Sequence, residues 1–236
     1  ALGCLHLMKK SLDILKSKGI EITDEEEEAV LIAILLHDIG HGPFSHALEH
    51  SIVSNISHEY LSLEFMNKLN SEFCGQLDLA IDIFRGYHDK KFLCQLISSQ
   101  LDIDRLDYLK RDSFYTGVAE GNINSERLIN MLNVVDNELV VEDKGIYSIE
   151  KFLVARRLMY WQVYLHKTSL CAEQMLISVL RRAKYIYETS NVQADDSVLN
   201  HFLKCKIDSK NFDATQLELF SKLDDYDMIS ALKLWQ

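Results

Sequence analysis

Twelve residues of the chain, "LLHDIGHGPFSH" at 35–46, collect three histidines, an aspartate, two glycines and the single proline. Imidazole and carboxylate side chains together are the donor set of a first-row divalent cation. His37 and Asp38 are adjacent, and on a regular helix their side chains diverge by about 100°. At a helix end followed by glycine, both can turn toward one ion. His41 stands four residues after His37, on the same face if the helix persists, and His46 comes on the next segment. Gly40 and Gly42 allow backbone to approach a bound ion or phosphate closely. A helix terminus that happens to gather histidines, which favour C-terminal ends, would account for one of them. It accounts poorly for His-Asp-x-x-His-x-x-x-x-His after a long apolar run.

Two further stretches carry chemistry. In "LDIDRLDYLKRDSFYTGV" (101–118), Leu101, Leu106 and Leu109 suit a core. Asp104, Tyr108, Arg111 and Asp112 fall at i, i+4, i+7 and i+8 on one helix face. That face reads either as the wall of a site or as a salt-bridged solvent face. The upstream His-Asp pair needs a further ligand, and Asp104 is a candidate for it. In "ARRLMYWQVYLHK" (155–167), Arg156, Tyr160, Tyr164 and Lys167 lie at offsets 0, 4, 8 and 11, within about 80° of arc. Two cations and two phenols on one stripe suit a polyphosphate and a sugar; an amphipathic interface helix is the other reading.

The elements that must position these groups are mostly helices. One proline and nine glycines in 236 residues leave few breakers. Residues 1–18 have the periodicity of an amphipathic helix that Gly19 would stop. "TDEEEEAVLIAILLHDIG" predicts a second helix, with Thr23 as N-cap, Glu26 completing a capping box, and an acidic first turn suited to the helix dipole. Its apolar run, Ala29–Leu36, leads directly into His37. Residues 44–70 (in one or two pieces), 76–88 and 92–113 also predict helices. "ELVVEDKGIYSI" (138–149) predicts a small β-hairpin around a Glu-Asp-Lys-Gly turn. A long helix comes next, from about Ser148 to Glu188, then a polar break at 189–197 and a less regular helical tail. The expected organisation is a domain over 1–188 and a helical extension over 189–236.

Composition narrows the class. Apolar content of 47% with 26% charged residues is ordinary for a globular protein. The net charge of −11 argues against general binding to nucleic acid or an anionic membrane, while leaving room for a small basic pocket. No segment approaches the length of a membrane span. The five cysteines, odd in number and without CxxC spacing, read as reduced and mostly buried thiols of a cytoplasmic protein.

"HDIGHGPFSHALE" resembles the HD phosphohydrolase superfamily, named for its paired His-Asp metal ligands, and more narrowly its deoxynucleoside triphosphate triphosphohydrolase (dNTPase) branch. "LDIDRLDYLKRD" and "ARRLMYWQVYLHK" resemble that branch's second and third signatures, in the same order, so the resemblance spans about 1–185. It implies a mainly α fold, an HD-domain helical bundle, holding a divalent ion (Mn, Mg, Fe or Ni) through His37, Asp38 and Asp104. It further implies phosphate chemistry by His41, His46, Glu49 and His58. Arg105, Tyr108, Asp112, Arg156, Tyr164, His166 and Lys167 match positions that hold phosphates and sugar, beside Tyr160 from the stripe, with Tyr164 packed below the sugar C2′. The family's first ligand is a histidine preceding Ser/Ala-Leu-Gly. "ALG" at residues 1–3 matches the part of that motif after the histidine. The expectation is that this ligand stands just before Ala1 and that the sequence begins part-way through the motif.

The implied reaction is metal-assisted hydrolysis of a dNTP to deoxynucleoside and inorganic triphosphate by a homo-oligomer, a dimer or larger. Two alternatives stay open. One is an HD phosphohydrolase acting on a nucleoside monophosphate, a cyclic dinucleotide or (p)ppGpp; the other is a nucleotide-binding regulator without chemistry.

Overall fold

The computed structural model describes residues 1–53, 55–189, 197–205 and 207–235. In chain order the helices are α1 (Leu2–Ser17), α2 (Asp24–Leu36), α3 (Glu49–Ile52), α4 (His58–Glu72), α5 (Asp78–Arg85), α6 (Lys91–Ile97), α7 (Ile103–Thr116) and α8 (Ser125–Asn130). After the strands β1 (Leu132–Val135) and β2 (Glu138–Val141) come α9 (Ile146–Met159), α10 (Lys167–Thr189), α11 (Val198–Lys204), α12 (Ala214–Phe220) and α13 (Asp225–Leu234). The fold is mainly α with one small antiparallel hairpin, as the composition implies. Among the described residues no helix is long and apolar enough to cross a membrane.

The second helix forms as its sequence dictates. The Thr23 hydroxyl accepts from the Glu26 N–H (3.1 Å), and the Glu26 carboxylate accepts from the Thr23 N–H (2.8 Å). Lys90 adds an ion pair to Glu26 at 2.7 Å. Burial alone would raise the Glu26 pKa; Lys90 and the Thr23 N–H outweigh it and hold the carboxyl below its usual range. Val30, Ala33 and Ile34 are fully buried, so α2 is anchored at its start by the cap and along its length by apolar packing. Gly19, at φ +85°, turns the chain out of the α1 region as expected.

Four expectations need correction. The hairpin lies at 132–141, not 138–149. Its turn is Asp136-Asn137, both left-handed (φ 51° and 66°), the conformation that two-residue hairpin loops require and that Asp and Asn tolerate. Just past the strand the Glu142 N–H still bonds the Met131 carbonyl (2.9 Å), and 143–145 form a 3₁₀ turn into α9, with Gly145 packed where a Cβ would stand 2.7 Å from Val141 Cγ1. The helix expected over 92–113 is two, because the Asp102 carboxylate caps a new start by accepting from the Arg105 N–H at 2.8 Å. The helix expected over 148–188 also divides. After α9 a π-helical turn, Tyr160–Tyr164, closes with the Leu165 N–H on the Tyr160 carbonyl (2.7 Å), and α10 begins at Lys167. Nothing in Gly or Pro content signals that break. Finally, all five cysteines are free, but Cys74, Cys171 and Cys205 are exposed; only Cys4 is buried.

Two compact units divide the chain: one of 1–37 and 66–166, the other of 38–65 and 167–236. In the first, α1, α2, α5, α6, α7 and the hairpin surround a core that includes Met8, Leu12, Ile34, Leu93, Leu106 and Leu109. Gly3 lets α1 approach α7 closely; a Cβ there would sit 2.0 Å from Arg111 Nη2. In the second, Leu48, Ile52, Leu61, Leu180, Phe202 and Phe220 belong to one buried cluster that joins α3, the start of α4 and α10 to α12. The polar break expected at 189–197 falls mostly on 190–196, outside the described residues, and the boundary expected at 188/189 adjoins it.

The glycines of the histidine stretch are packing residues of the second unit. Gly40 donates its N–H to Ser62 Oγ (2.9 Å), and a Cβ on it would lie 2.3 Å from both the His58 carbonyl oxygen and the Ser62 nitrogen. Both are backbone atoms of α4, which cannot swing aside as a side chain would. Gly40→Ala is therefore expected to destabilise by roughly 1–3 kcal/mol, lowering Tm by about 2–10 °C. A thermal unfolding midpoint equal to that of the unsubstituted protein would contradict this packing.

Candidate active site

The capped, buried α2 ends at His37, and its last turn orients that residue. His37 Nδ1 lies 2.7 Å from the Ile34 carbonyl oxygen. A carbonyl only accepts, so Nδ1 carries the proton and Nε2 presents its lone pair. Nε2 is 3.4 Å from Asp104 Oδ1 on the first turn of α7. Cys4 on α1 donates its thiol to the same oxygen at 3.4 Å. One donor atom from each of Cys4, His37 and Asp104 lies within 4.8 Å of the other two, close enough for a single ion. A histidine fixed through Nδ1 on a backbone carbonyl, with Nε2 aimed at a carboxylate, is how metal-ligating histidines are held. The residues fit a divalent ion. The sequence places His37 and Asp104 here; it does not place Cys4. The position of Cys4 on the buried face of α1 with Met8 and Leu12 is legible in the periodicity, but not its neighbour 100 residues on. Burial, and then the Asp104 charge, push its thiol pKa up to about 12.

Farther along α7, Tyr108 and Asp112 meet the end of the π-helical turn. The Tyr164 hydroxyl donates to Asp112 Oδ2 at 2.5 Å. Its ring packs edge-on against Tyr160 (centroids 5.2 Å apart) and Tyr108 (6.1 Å). Burial first, then the Asp112 hydrogen bond, raise the Tyr164 pKa; burial alone dominates at Tyr108, pushed up to about 12. Both phenols stay protonated across any physiological pH. Tyr160 and Tyr164, four residues apart, stay neighbours as the predicted stripe has them, while the π turn ends the regular helix between Arg156 and Lys167. Arg156 donates to Gln100 Oε1 at 3.1 Å, a neutral partner. Arg105 is turned back on the start of its own helix, donating to the Ser99 carbonyl (2.7 Å) and pairing with the buried Asp102. Its Nε is buried without an acceptor among the described residues. Arg111, on the same predicted face, is bound to Asp107 instead (2.8 Å). His166 and Lys167 are exposed at the end of this unit and the start of the next.

In the second unit, His41, His46 and His58 converge. His41 stacks on His58 with centroids 4.2 Å apart, and His46 stands edge-on to both at 4.7 and 5.0 Å. Glu49 ties His46 to His58, accepting from the His58 N–H (2.8 Å), from His58 Nδ1 (2.6 Å) and from His46 Nδ1 (3.2 Å). Burial would raise the Glu49 pKa, but these three bonds outweigh it and hold the carboxyl down at about 2. Asp38 lies in this unit, with its Oδ1 3.6 Å from His41 Nε2. The connecting backbone is bent: Phe44 and Ser45 both take left-handed conformations (φ 54° and 47°), and the Phe44 N–H is secured by Asp225 Oδ1 at 2.7 Å. Strain of this kind in non-glycine residues persists where surrounding structure over-determines it, and such places are often functional.

Known proteins share this sequence pattern and fold. The HD domain family matches residues 2–112 and the HD associated region matches 123–211. A crystal structure of a phosphohydrolase from Bacteroides thetaiotaomicron is 57% identical with a TM-score of 0.94, covering 99% of this chain and 59% of that one. The uncharacterized protein YwfO of Bacillus subtilis is 32% identical over all of this chain and 54% of its own length. The deoxynucleoside triphosphate triphosphohydrolase SAMHD1 homolog of Dictyostelium discoideum is 28% identical over 83% of this chain and 41% of its own. The chain thus spans about half the length of the curated relatives it matches. With the His-Asp pair, the aspartate of α7 and both family regions in order along it, the chain belongs to the HD phosphohydrolase superfamily, and proteins named SAMHD1 are among its relatives.

Proposed function

We propose that this HD phosphohydrolase hydrolyses dNTPs to deoxynucleoside and inorganic triphosphate. The observation that carries the reading is the convergence of His37 Nε2 and Asp104 at a site whose histidine tautomer is fixed by backbone. His37, Asp38 and Asp104 are the proposed metal ligands. A divalent ion there would supply Lewis-acid polarisation of a phosphoryl oxygen and a more acidic water. Mn, Mg, Fe and Ni all suit the donor set, which does not choose among them.

The chain's own groups do the rest. Glu49 orients His46 and His58 through their Nδ1 atoms, which leaves each Nε2 to exchange a proton with the reacting phosphate or leaving group. His41, stacked on His58, adds a third imidazole for phosphate contact. Arg156 and Lys167 are the cations proposed to offset the triphosphate charge, joined by His166. Arg105 is committed to Asp102 and contributes through the placement of α7. Tyr108, Tyr160 and Tyr164 form an aromatic wall for the sugar. Tyr164, clamped by Asp112, cannot rotate away from a 2′-hydroxyl, and such steric refusal selects a deoxyribose. Support for the triphosphate comes from the SAMHD1-named relatives and from the cation and tyrosine set, which suits a polyphosphate better than a monophosphate.

The direct test incubates the protein with each dNTP and with Mn²⁺, Mg²⁺ or Fe²⁺ and separates the products by ion exchange. Deoxynucleoside plus triphosphate is expected. Deoxynucleoside monophosphate plus pyrophosphate would move the cut, and no product with any ion would overturn the reading. Tyr164→Ala is expected to relax the preference for dNTP over NTP by roughly tenfold or more, read as the ratio of kcat/KM values; an unchanged ratio removes Tyr164 from sugar selection. A third expectation concerns pH. The Glu49 carboxyl titrates lower folded (about 2) than its ordinary 4.5, so its charge stabilises the fold fully above 4.5. That stabilisation is lost as pH falls through this window. Glu49→Gln should flatten the acid limb of a urea-midpoint-versus-pH curve. An acid limb as steep as that of the unsubstituted protein would show that Glu49 is not the carboxyl responsible.

A further inference from the structure

The ligands proposed above leave one donor beside them unused. Cys4 lies on the buried face of α1 with Met8 and Leu12 and is only 2% exposed. Its direction is therefore fixed by the packing of the helix. Its Sγ stands 3.4 Å from Asp104 Oδ1 and 3.8 Å from Asp107 Oδ2. His37 Nε2 reaches the same Asp104 oxygen at 3.4 Å. Sulfur, imidazole nitrogen and carboxylate oxygen thus come from α1, the end of α2 and the first turn of α7. All three belong to the first unit and lie within 4.8 Å of one another. Donor atoms about 2.0–2.3 Å from one ion, at near-tetrahedral angles, stand about 3.4–3.6 Å apart. Both separations from Asp104 Oδ1 match that spacing.

A cysteine that only filled space would be best served by apolar neighbours. This one faces two carboxylates, and the two differ. Asp107 is paired with the Arg111 guanidinium at 2.8 Å. Asp104 Oδ1 is met by two neutral groups, the Cys4 thiol and the His37 ring in the tautomer that the Ile34 carbonyl imposes. A cation at the meeting point of the three donors would offset the Asp104 charge. We infer that Cys4 is a further ligand of this site and the residue that sets its metal preference, supplying a thiolate that favours a softer divalent ion such as zinc, cobalt or ferrous iron over magnesium. On binding, the S–H bond gives way to a sulfur–metal bond and the proton leaves to solvent. The inference rests on the reading of His37 and Asp104 as metal ligands. Histidine and aspartate alone do not choose among these ions; a thiolate does.

The test loads the protein with Co²⁺ alone, in the presence of a non-thiol reductant, and records its absorption. Visible d–d bands report bound cobalt; a near-ultraviolet thiolate-to-cobalt charge-transfer band reports sulfur in its coordination shell. The unsubstituted protein should show both. Cys4→Ser, which keeps a hydroxyl to donate to Asp104, and Cys4→Ala should keep the visible bands and lose the charge-transfer band. In competition between Co²⁺ and Mg²⁺, their preference for cobalt should fall roughly tenfold or more. A protein with Cys74, Cys94, Cys171 and Cys205 all replaced by alanine should retain the charge-transfer band, an arm that does not require the Cys4 variants to fold. Circular dichroism checks the fold of each variant. Visible bands without charge transfer in the unsubstituted protein would overturn the inference and leave the His37/Asp104 site standing. A charge-transfer band that survives in folded Cys4→Ser, or vanishes from a folded protein lacking only the other four cysteines, would overturn it too. Failure to bind cobalt at all would overturn the metal site itself, and this inference with it.

Discussion

The proposed chemistry depends on one hydrogen bond, from His37 Nδ1 to the Ile34 carbonyl at the end of α2. It fixes the tautomer and the ring plane together, so Nε2 meets Asp104 with its lone pair already presented. For that bond to orient the ring, the last turn of α2 must not move. The capping box at Thr23 and Glu26 secures the start of the helix, and the fully buried Val30, Ala33 and Ile34 secure its length. The acidic first turn and the apolar run are thus one device, holding a ligand at the far end. The helix is short enough that both ends share one rigid rod, 13 residues long.

Elsewhere rigidity comes from buried and half-buried carboxylates. Glu49 holds two imidazoles and a backbone N–H; Asp102 caps α7 and binds Arg105; Asp112 clamps Tyr164. A partly buried carboxylate whose acceptor sites are filled by donors is a stiff joint, since breaking any bond leaves charge poorly solvated. These joints set side-chain direction at the places where the proposed reaction needs it.

The local pattern of the sequence carries much of this. The capping box, the burial of α2, the helical class and the His37/Asp104 pairing are all legible in residue type and spacing. Where reading along the chain fails, the deciding contact is distant or competes with periodicity. Asp102 restarts a helix that the Leu101/Leu106/Leu109 spacing favours continuing, because its carboxylate caps better than it continues a helix. The π turn at Tyr160–Tyr164 arises without any breaker residue and ends the long helix that periodicity favours continuing. Arg111 suits a binding face by spacing and Arg105 by resemblance, yet each finds a carboxylate three or four residues away on its own helix or at its cap. Cys4 reaches Asp104 across 100 residues, which no local pattern encodes.

That His37 and Asp104 hold a divalent ion is tested most directly by metal content. The unsubstituted protein and Asp104→Asn are loaded with Mn²⁺, unbound ion is removed on a desalting column, and metal per chain is determined by mass spectrometry alongside circular dichroism. Retention of about one ion per chain by the unsubstituted protein, and its loss from a folded Asp104→Asn, is the expected result. A folded Asp104→Asn that keeps as much metal as the unsubstituted protein would contradict it.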